Sequence, residues 1–209
     1  MTTTTAQTSD VLLARDRVTA AVRLDRVLRA DHARRGATVT TDGSWFRRAE
    51  PGPAGPLVFA VASDAGGTTV EVRGPAATPP AARQWALYAA AAWAGLHDDL
   101  QTARDVLTST EQMATLLDLV GEVRLSVTPR VCEALGRSVL EQLVQGKEAR
   151  RSIAQLVACA GTRVTTQLWH WPVPRDLGAT PVWTLHRCGL SGRMATALHA
   201  GAVEAERLE

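Results

Sequence analysis

The spacing of the apolar residues changes once along this chain, near residue 78, and that change restricts the possible folds more than any other feature. Before it, Leu57, Phe59 and Val61 alternate, the run SDAGGT turns, and Val70 and Val72 alternate back, which is the pattern of an antiparallel hairpin. TVTTDGSWFRRA reads the same way, as two short strands about an Asp42-Gly43 turn, and the Pro/Gly loop EPGPAGP follows it. VLLARDRVTAAV fits a strand, although Leu24, Val27 and Leu28 after it have helical spacing.

From Thr78 onward the apolar residues recur every three or four positions. Thr78-Pro79 reads as an N-cap with proline in the first helical position, opening a helix through the alanine tract WALYAAAAWAGL. Ser109-x-x-Gln112 has the form of a capping box before EQMATLLDLV, with Gly121 placed to end that helix. Thr128-Pro129 predicts a further start, with Leu135, Val139 and Leu140 on the buried side and an end near Gly146. A helix from Lys147 to Ala160 should bury Ile153, Leu156 and Val157 and stop at Gly161. Ser191 can cap a last helix whose apolar face is Met194, Leu198, Ala202 and Ala205. The expected class is therefore α+β: a small N-terminal antiparallel β domain with helical cover over residues 1–105, then a helical domain over residues 106–209.

Composition narrows the partners. With 209 residues and 45% hydrophobic content the chain can build an ordinary core. Twenty-three basic against 21 acidic residues give a net charge of +2, which permits a polyanionic partner without requiring one. Lys147 is the single lysine among those cations, a bias toward arginine that suits phosphate recognition but that a GC-rich genome also explains. Cys132, Cys159 and Cys188 are odd in number and widely spaced, which fits reduced core thiols and supplies no metal-ligand cluster; no metal and no cofactor are expected. MTTTTAQTSD lacks the basic start and apolar run of a signal peptide, and the alanine tract is too short for a membrane span, so a cytoplasmic protein with no membrane partner is expected.

The segment EALGRSVLEQLVQGKEARRSIAQLV joins two helical patterns through a short break carrying Gly146, Lys147, Arg150 and Arg151. Spacing alone leaves two readings open. In one, Leu143 packs in the core and the basic residues are merely solvated. In the other, Gly146 lets the chain turn closely and the start of the second helix offers free N–H groups and positive charge to a phosphate. Trp169 and Trp171 about His170 could likewise be a stacking platform or the packing of an irregular loop. Glu141 and Glu148 read as surface or helix-end residues.

The run E-A-L-x-x-S-V-L-E-Q-x-V-x-G-K-E-A-R-R-S from Glu133 to Ser152, with W-T-L-H-R-C-G-L-S-G-R-M-A from Trp183 to Ala195, resembles the 3-methyladenine DNA glycosylase II family of the helix-hairpin-helix glycosylases, most nearly its actinobacterial members. Those members also place a small antiparallel β domain ahead of the helical one. The resemblance implies base-excision repair on double-stranded DNA: a damaged base is flipped out, a wedge side chain fills the gap, and the glycosidic bond is hydrolysed. Because the wedge follows the glutamine of an I-L-x-Q segment, the resemblance makes Gln142 that glutamine and Leu143 the wedge. It groups Gln142, Leu143, Gly146, Lys147, Arg150 and Arg151 as DNA-binding residues. His186 and Arg187 match the family's second motif without a chemical role to carry over.

The family's catalytic aspartate lies beyond a hairpin reading approximately L-P-G-I-G, and no segment of this sequence has that form. CGLSGRM has its glycines three apart and matches the preceding helix instead. No catalytic residue is assigned, and Lys147 sits in the wrong segment to act as a nucleophile. Three expectations follow: a shortened or fragmentary glycosylase, inactive alone and with an incomplete helical domain; a DNA-binding or scaffolding protein without the chemistry; or a helical interaction module.

Overall fold

The computed structural model describes residues 10–28, 36–121, 123–128, 130–142 and 144–208. Its first part is a five-stranded antiparallel sheet of β1 (Val11–Val18), β2 (Val39–Thr41), β3 (Phe46–Glu50), β4 (Leu57–Asp64) and β5 (Gly67–Gly74), ordered β1-β5-β4-β3-β2. One short helix, α1 (Leu24–Val27), interrupts it. The helical spacing of Leu24, Val27 and Leu28 is met by α1 and its C-cap Leu28, and residues 29–35 lie outside the described residues. Both expected hairpins form, with Thr41 opposite Phe46 and Asp64 opposite Gly67. At the first turn an Asp42 oxygen accepts the N–H groups of Trp45 and Ser44 at 2.8 and 2.9 Å, and these bonds, with Arg47, hold its carboxyl down at about 2.

The central strand shows why this sheet needs cover on both sides. Leu57, Phe59 and Val61 pack with Val70 and Val72 beneath Ala86, Ala89, Ala90 and Trp93 of α2 (Pro80–Trp93). Val58 and Ala60 point the other way and are buried too, Val58 against Ala49 and Leu168. The alternation in the sequence finds one face; the second is covered by chain more than a hundred residues away. Full burial of a side chain such as Phe59 stabilises by about 1.5–3 kcal/mol relative to exposure.

Then come α3 (Leu100–Leu107), α4 (Glu111–Val120), α5 (Val131–Glu141) and α6 (Gly146–Ala160), a two-residue ladder of β6 (Thr162–Arg163) with β7 (Trp169–His170), and α7 (Pro174–Ala179), α8 (Val182–Arg187) and α9 (Gly192–Ala205). Their shared core holds Leu140, Ile153, Leu156, Val157, Trp171, Leu177, Leu185, Leu198 and Ala202. Ile153, Leu156 and Val157 are buried as their spacing requires, and Ser191 caps α9 by accepting the Met194 N–H. Met194 itself is partly buried against this core.

Several helix starts differ from the sequence reading. Pro79, not Thr78, is the N-cap of α2, and the Thr78 hydroxyl turns back to donate to the Pro75 carbonyl at 2.7 Å. Thr110 occupies the N-cap of α4 without a side-chain bond, so the Ser109/Gln112 box does not form there, whereas Gly121 does end that helix at φ +77°. Arg130 caps α5; Thr128 instead accepts the Arg130 N–H and a bond from Arg48, and Pro129 lies outside the described residues. Leu135 is 41% exposed, because the inner face of α5 is Glu133, Gly136 and Leu140, spaced i, i+3 and i+7.

Glu133 takes that inward place through a buried ionic seam between sheet and helices. Arg48 on β3 bonds Glu50 at 2.5 Å and also bonds Glu133. Arg137 reaches Glu133 at 2.8 Å and the Thr38 hydroxyl at 2.8 Å, while Arg130 reaches Glu50 at 2.9 Å and the Pro51 carbonyl at 2.8 Å. Burial opposes the charges of Arg48 and Glu133, but their partners outweigh it: the guanidinium pKa is raised and the carboxyl pKa lowered. Gly136 is required beside this seam, since a Cβ there would stand 2.4 Å from the Trp171 ring, over which Arg137 also lies.

One connection is glycine-dependent for a different reason. Gly36, at φ +90°, crosses α6 so closely that a Cβ would sit 1.9 Å from the Ala154 carbonyl oxygen. The next residue, Ala37, accepts the Trp169 N–H at 2.8 Å, tying that crossing to β7.

Candidate nucleic-acid interface

The α5–α6 joint spans residues 142–145. Gln142 leaves α5 in an extended conformation and is exposed; Val144 is half-buried; Gln145 is the N-cap of α6. Leu143, the wedge residue of the sequence reading, lies outside the described residues. Gly146 has ordinary helical geometry as the first residue of α6, and a Cβ on it would meet only the mobile end of Arg150, at 3.4 Å. Gly146 therefore lies within α6 and not in the turn before it, which corrects the expectation that glycine shapes that turn.

The core fixes what α6 shows to solvent. Ala149, Ile153, Leu156 and Val157 face inward, so Lys147, Arg150 and Arg151 face outward and are exposed. Glu148 and Ala149 donate to the Gln145 carbonyl at 2.9 and 3.0 Å, and the N–H groups of Gly146 and Lys147 precede that first helical bond. Among the described residues, no ion pair engages Lys147, Arg150 or Arg151. Glu148 subtracts one charge from this group and complements the positive end of the helix.

Beside the joint runs a groove of about 470 Å³ lined by Leu140, Val144, Glu148, Arg151, Ser152, Gln155, His186, Arg187, Gly189 and Met194. Its second wall is the turn between α8 and α9. There Nδ1 of His186 donates to the Leu190 carbonyl at 2.9 Å. The structure thus places Arg187 and Arg151 along one groove, a relation that thirty-five intervening residues concealed; the LHRCGL motif marked the segment but not its neighbour.

Other candidates are placed elsewhere. Trp169, His170 and Trp171 are all buried, so they pack the loop and offer no stacking platform. Burial lowers the His170 pKa, and Nδ1 donates to the Trp171 carbonyl at 2.7 Å. Cys132 and Cys188 are buried, but Cys159 is exposed, unlike the core thiol expected of it. Among the described residues no three His, Cys, Asp or Glu side chains gather as a metal site, and no helix is long and apolar enough to cross a membrane.

A cationic, partly apolar groove beside a helix start can receive a polyanion and an apolar edge together. No protein-family model matches the chain, and no curated protein matches it in sequence. Its fold is nevertheless shared with DNA glycosylases. A 3-methyladenine DNA-glycosylase from Archaeoglobus fulgidus superposes with a TM-score of 0.74 at 16% identity, covering 91% of this chain and 66% of that one. MBOgg1 in complex with a low affinity DNA ligand gives 0.64 at 14% identity, covering 95% and 66%. The Clostridium acetobutylicum 8-oxoguanine glycosylase/lyase, in complex with dsDNA containing cytosine opposite 8-oxoG, gives 0.55 at 10% identity, covering 83% and 67%. The chain spans about two thirds of the length of each.

Proposed function

We propose that this chain binds double-stranded DNA through the α5–α6 joint and belongs to base-excision repair of alkylated bases. The observation that carries the reading is the set of exposed cations Lys147, Arg150 and Arg151 at the start of α6, held without ion pairs among the described residues on a glycosylase-type fold. In this reading the N–H groups of Gly146 and Lys147 and the three cations hold the phosphates. Gln142 and Leu143 meet the opened base step, and Arg187 extends the positive wall.

The 209 residues supply no aspartate behind an L-P-G-I-G hairpin, so on this reading they bind but do not by themselves hydrolyse the glycosidic bond. The helical part, residues 106–209, carries the DNA contacts, and the sheet part, residues 1–105, buttresses it across the ionic seam.

The test is binding to an alkylated duplex as a function of salt. Affinity should fall linearly on logarithmic axes, and Lys147→Glu should weaken binding and flatten that slope. Binding that ignores salt, or none at all, defeats the proposal, and release of a methylated base by the 209-residue chain defeats its non-catalytic part.

One observation favours a second reading, a protein-interaction module. α3 buries no residue, and Val106, Leu116, Leu119 and Leu125 are between 50 and 77% exposed around α3 and α4. Salt-independent self-association without DNA binding would support it.

A further inference from the structure

Cys159 and Cys188 reach the same carbonyl from two helices. Cys188, at the C-cap of α8, donates its thiol hydrogen to the Gln155 carbonyl at 3.7 Å. Gln155 stands four residues before Cys159 on α6, so the same carbonyl is the helical acceptor for the Cys159 N–H. A Cβ on Gly189, the residue after Cys188, would stand 3.4 and 3.5 Å from the Ser152 and Gln155 side chains, and Ser152, Gln155 and Cys159 share one face of α6 at i, i+3 and i+7. The two thiols differ in access: Cys159 is exposed and Cys188 is buried. Cys132, also buried, directs its thiol to the Pro172 carbonyl at 3.9 Å on α5's side of the core.

We propose that Cys159 and Cys188 are an oxidisable pair that a hydroperoxide converts to a disulfide, fastening α6 to the α8–α9 turn along the groove. The first step falls to Cys159, which solvent reaches. Its thiolate sulfur attacks the outer peroxide oxygen, the O–O bond breaks, and the departing oxygen takes up a proton and leaves as an alcohol or water; Cys159 becomes a sulfenic acid. The Cys188 sulfur then attacks the Cys159 sulfur, the S–O bond breaks, and the hydroxide released takes the Cys188 proton and leaves as water. Two thiols lose two electrons to the peroxide and the atoms balance.

Burial, followed by the neighbouring Cys159, pushes the Cys188 thiol up to about 12, which keeps it protonated until the sulfenic acid stands beside it. Gln155 and Gly189 belong to opposite walls of the groove, so the bond would fix the width between them. This inference goes beyond the DNA-binding reading and does not depend on what the groove holds.

The experiment oxidises the reduced 209-residue chain with a small excess of hydrogen peroxide, alkylates the remaining thiols, and maps tryptic peptides. The expected product is about two mass units lighter before alkylation. It should contain peptide 152–163 joined to peptide 188–193, with Cys132 still alkylated, and dithiothreitol should reverse it. Cys159→Ser, a change at an exposed position, and Cys188→Ala should each abolish the joined peptide, whereas Cys132→Ser should leave it. A cross-link that includes Cys132, a dimer joined through Cys159, or a sulfinic Cys159 beside an alkylated Cys188 would each overturn the pair.

Discussion

Arginine does opposite work in two regions of this molecule. At the seam between sheet and helices, Arg48, Arg130 and Arg137 are held by Glu50, Glu133 and nearby oxygens, and the carboxylates are almost fully buried. At the α5–α6 joint, Arg150 and Arg151 stand in solvent with Lys147. A buried guanidinium has to be matched within the fold, since an unmatched charge in a low-dielectric interior is strongly unfavourable. An exposed one can remain unmatched until a partner brings the anion. The difference teaches that net charge says little here, whereas the location of the unmatched charge says a good deal.

That contrast can be broken, and the largest effect belongs to the seam. Arg48→Ala leaves Glu50 and Glu133 buried with one partner fewer each, and urea unfolding should show a loss of about 3–5 kcal/mol. Gly136→Ala pushes a methyl group into the Trp171 ring and should cost about 1–3 kcal/mol in the same assay. At the joint the stability change should be smallest: Arg150→Ala and Arg151→Ala should each stay within about 0.5 kcal/mol of the parent. Yet each should lower the salt slope of duplex binding, by about 1 per phosphate contact removed. A destabilised Arg150→Ala with unchanged binding would erase the distinction between the two regions.

Acid sharpens the same comparison. Because the His170 pKa is lower folded than its ordinary 6.5, the unfolded chain takes up a proton first as pH falls, and stability contributed by neutral His170 is present above about 6.5 and lost below it. The lowered Glu133 pKa adds a second loss below about 4.5, its ordinary value. Thermal melts between pH 7 and 5 should fall for the parent and fall less for His170→Asn, while the exposed joint contributes nothing to that difference.

Much of the fold was legible because its signals are local. The two hairpins follow from Asp42-Gly43 and the SDAGGT run, Gly121 and Ser191 act as helix punctuation, and the inner face of α6 follows from its 3.6-residue period. The seam was not legible. A glutamate with a helical neighbourhood reads as surface, and Glu133 becomes an inward residue only once Arg48, eighty-five positions earlier, is known to face it. Leu135 was displaced outward for the same reason. The strands β6 and β7 are two residues each, too short for any periodicity to mark. At the candidate site the cations of the joint could be read directly, but the groove's far wall at Arg187 and Gly189 is a product of packing between helices distant in sequence.

The close crossing of Gly36 over Ala154 bears on how quickly the chain can reach this state. Residues more than a hundred positions apart must meet before the segment leading into β2 can settle, and the gap between them admits no methyl group. Loop closure on that scale is entropically expensive and offers no reward until both sides are in place, so slow refolding limited by this long-range meeting is the kinetic signature to look for.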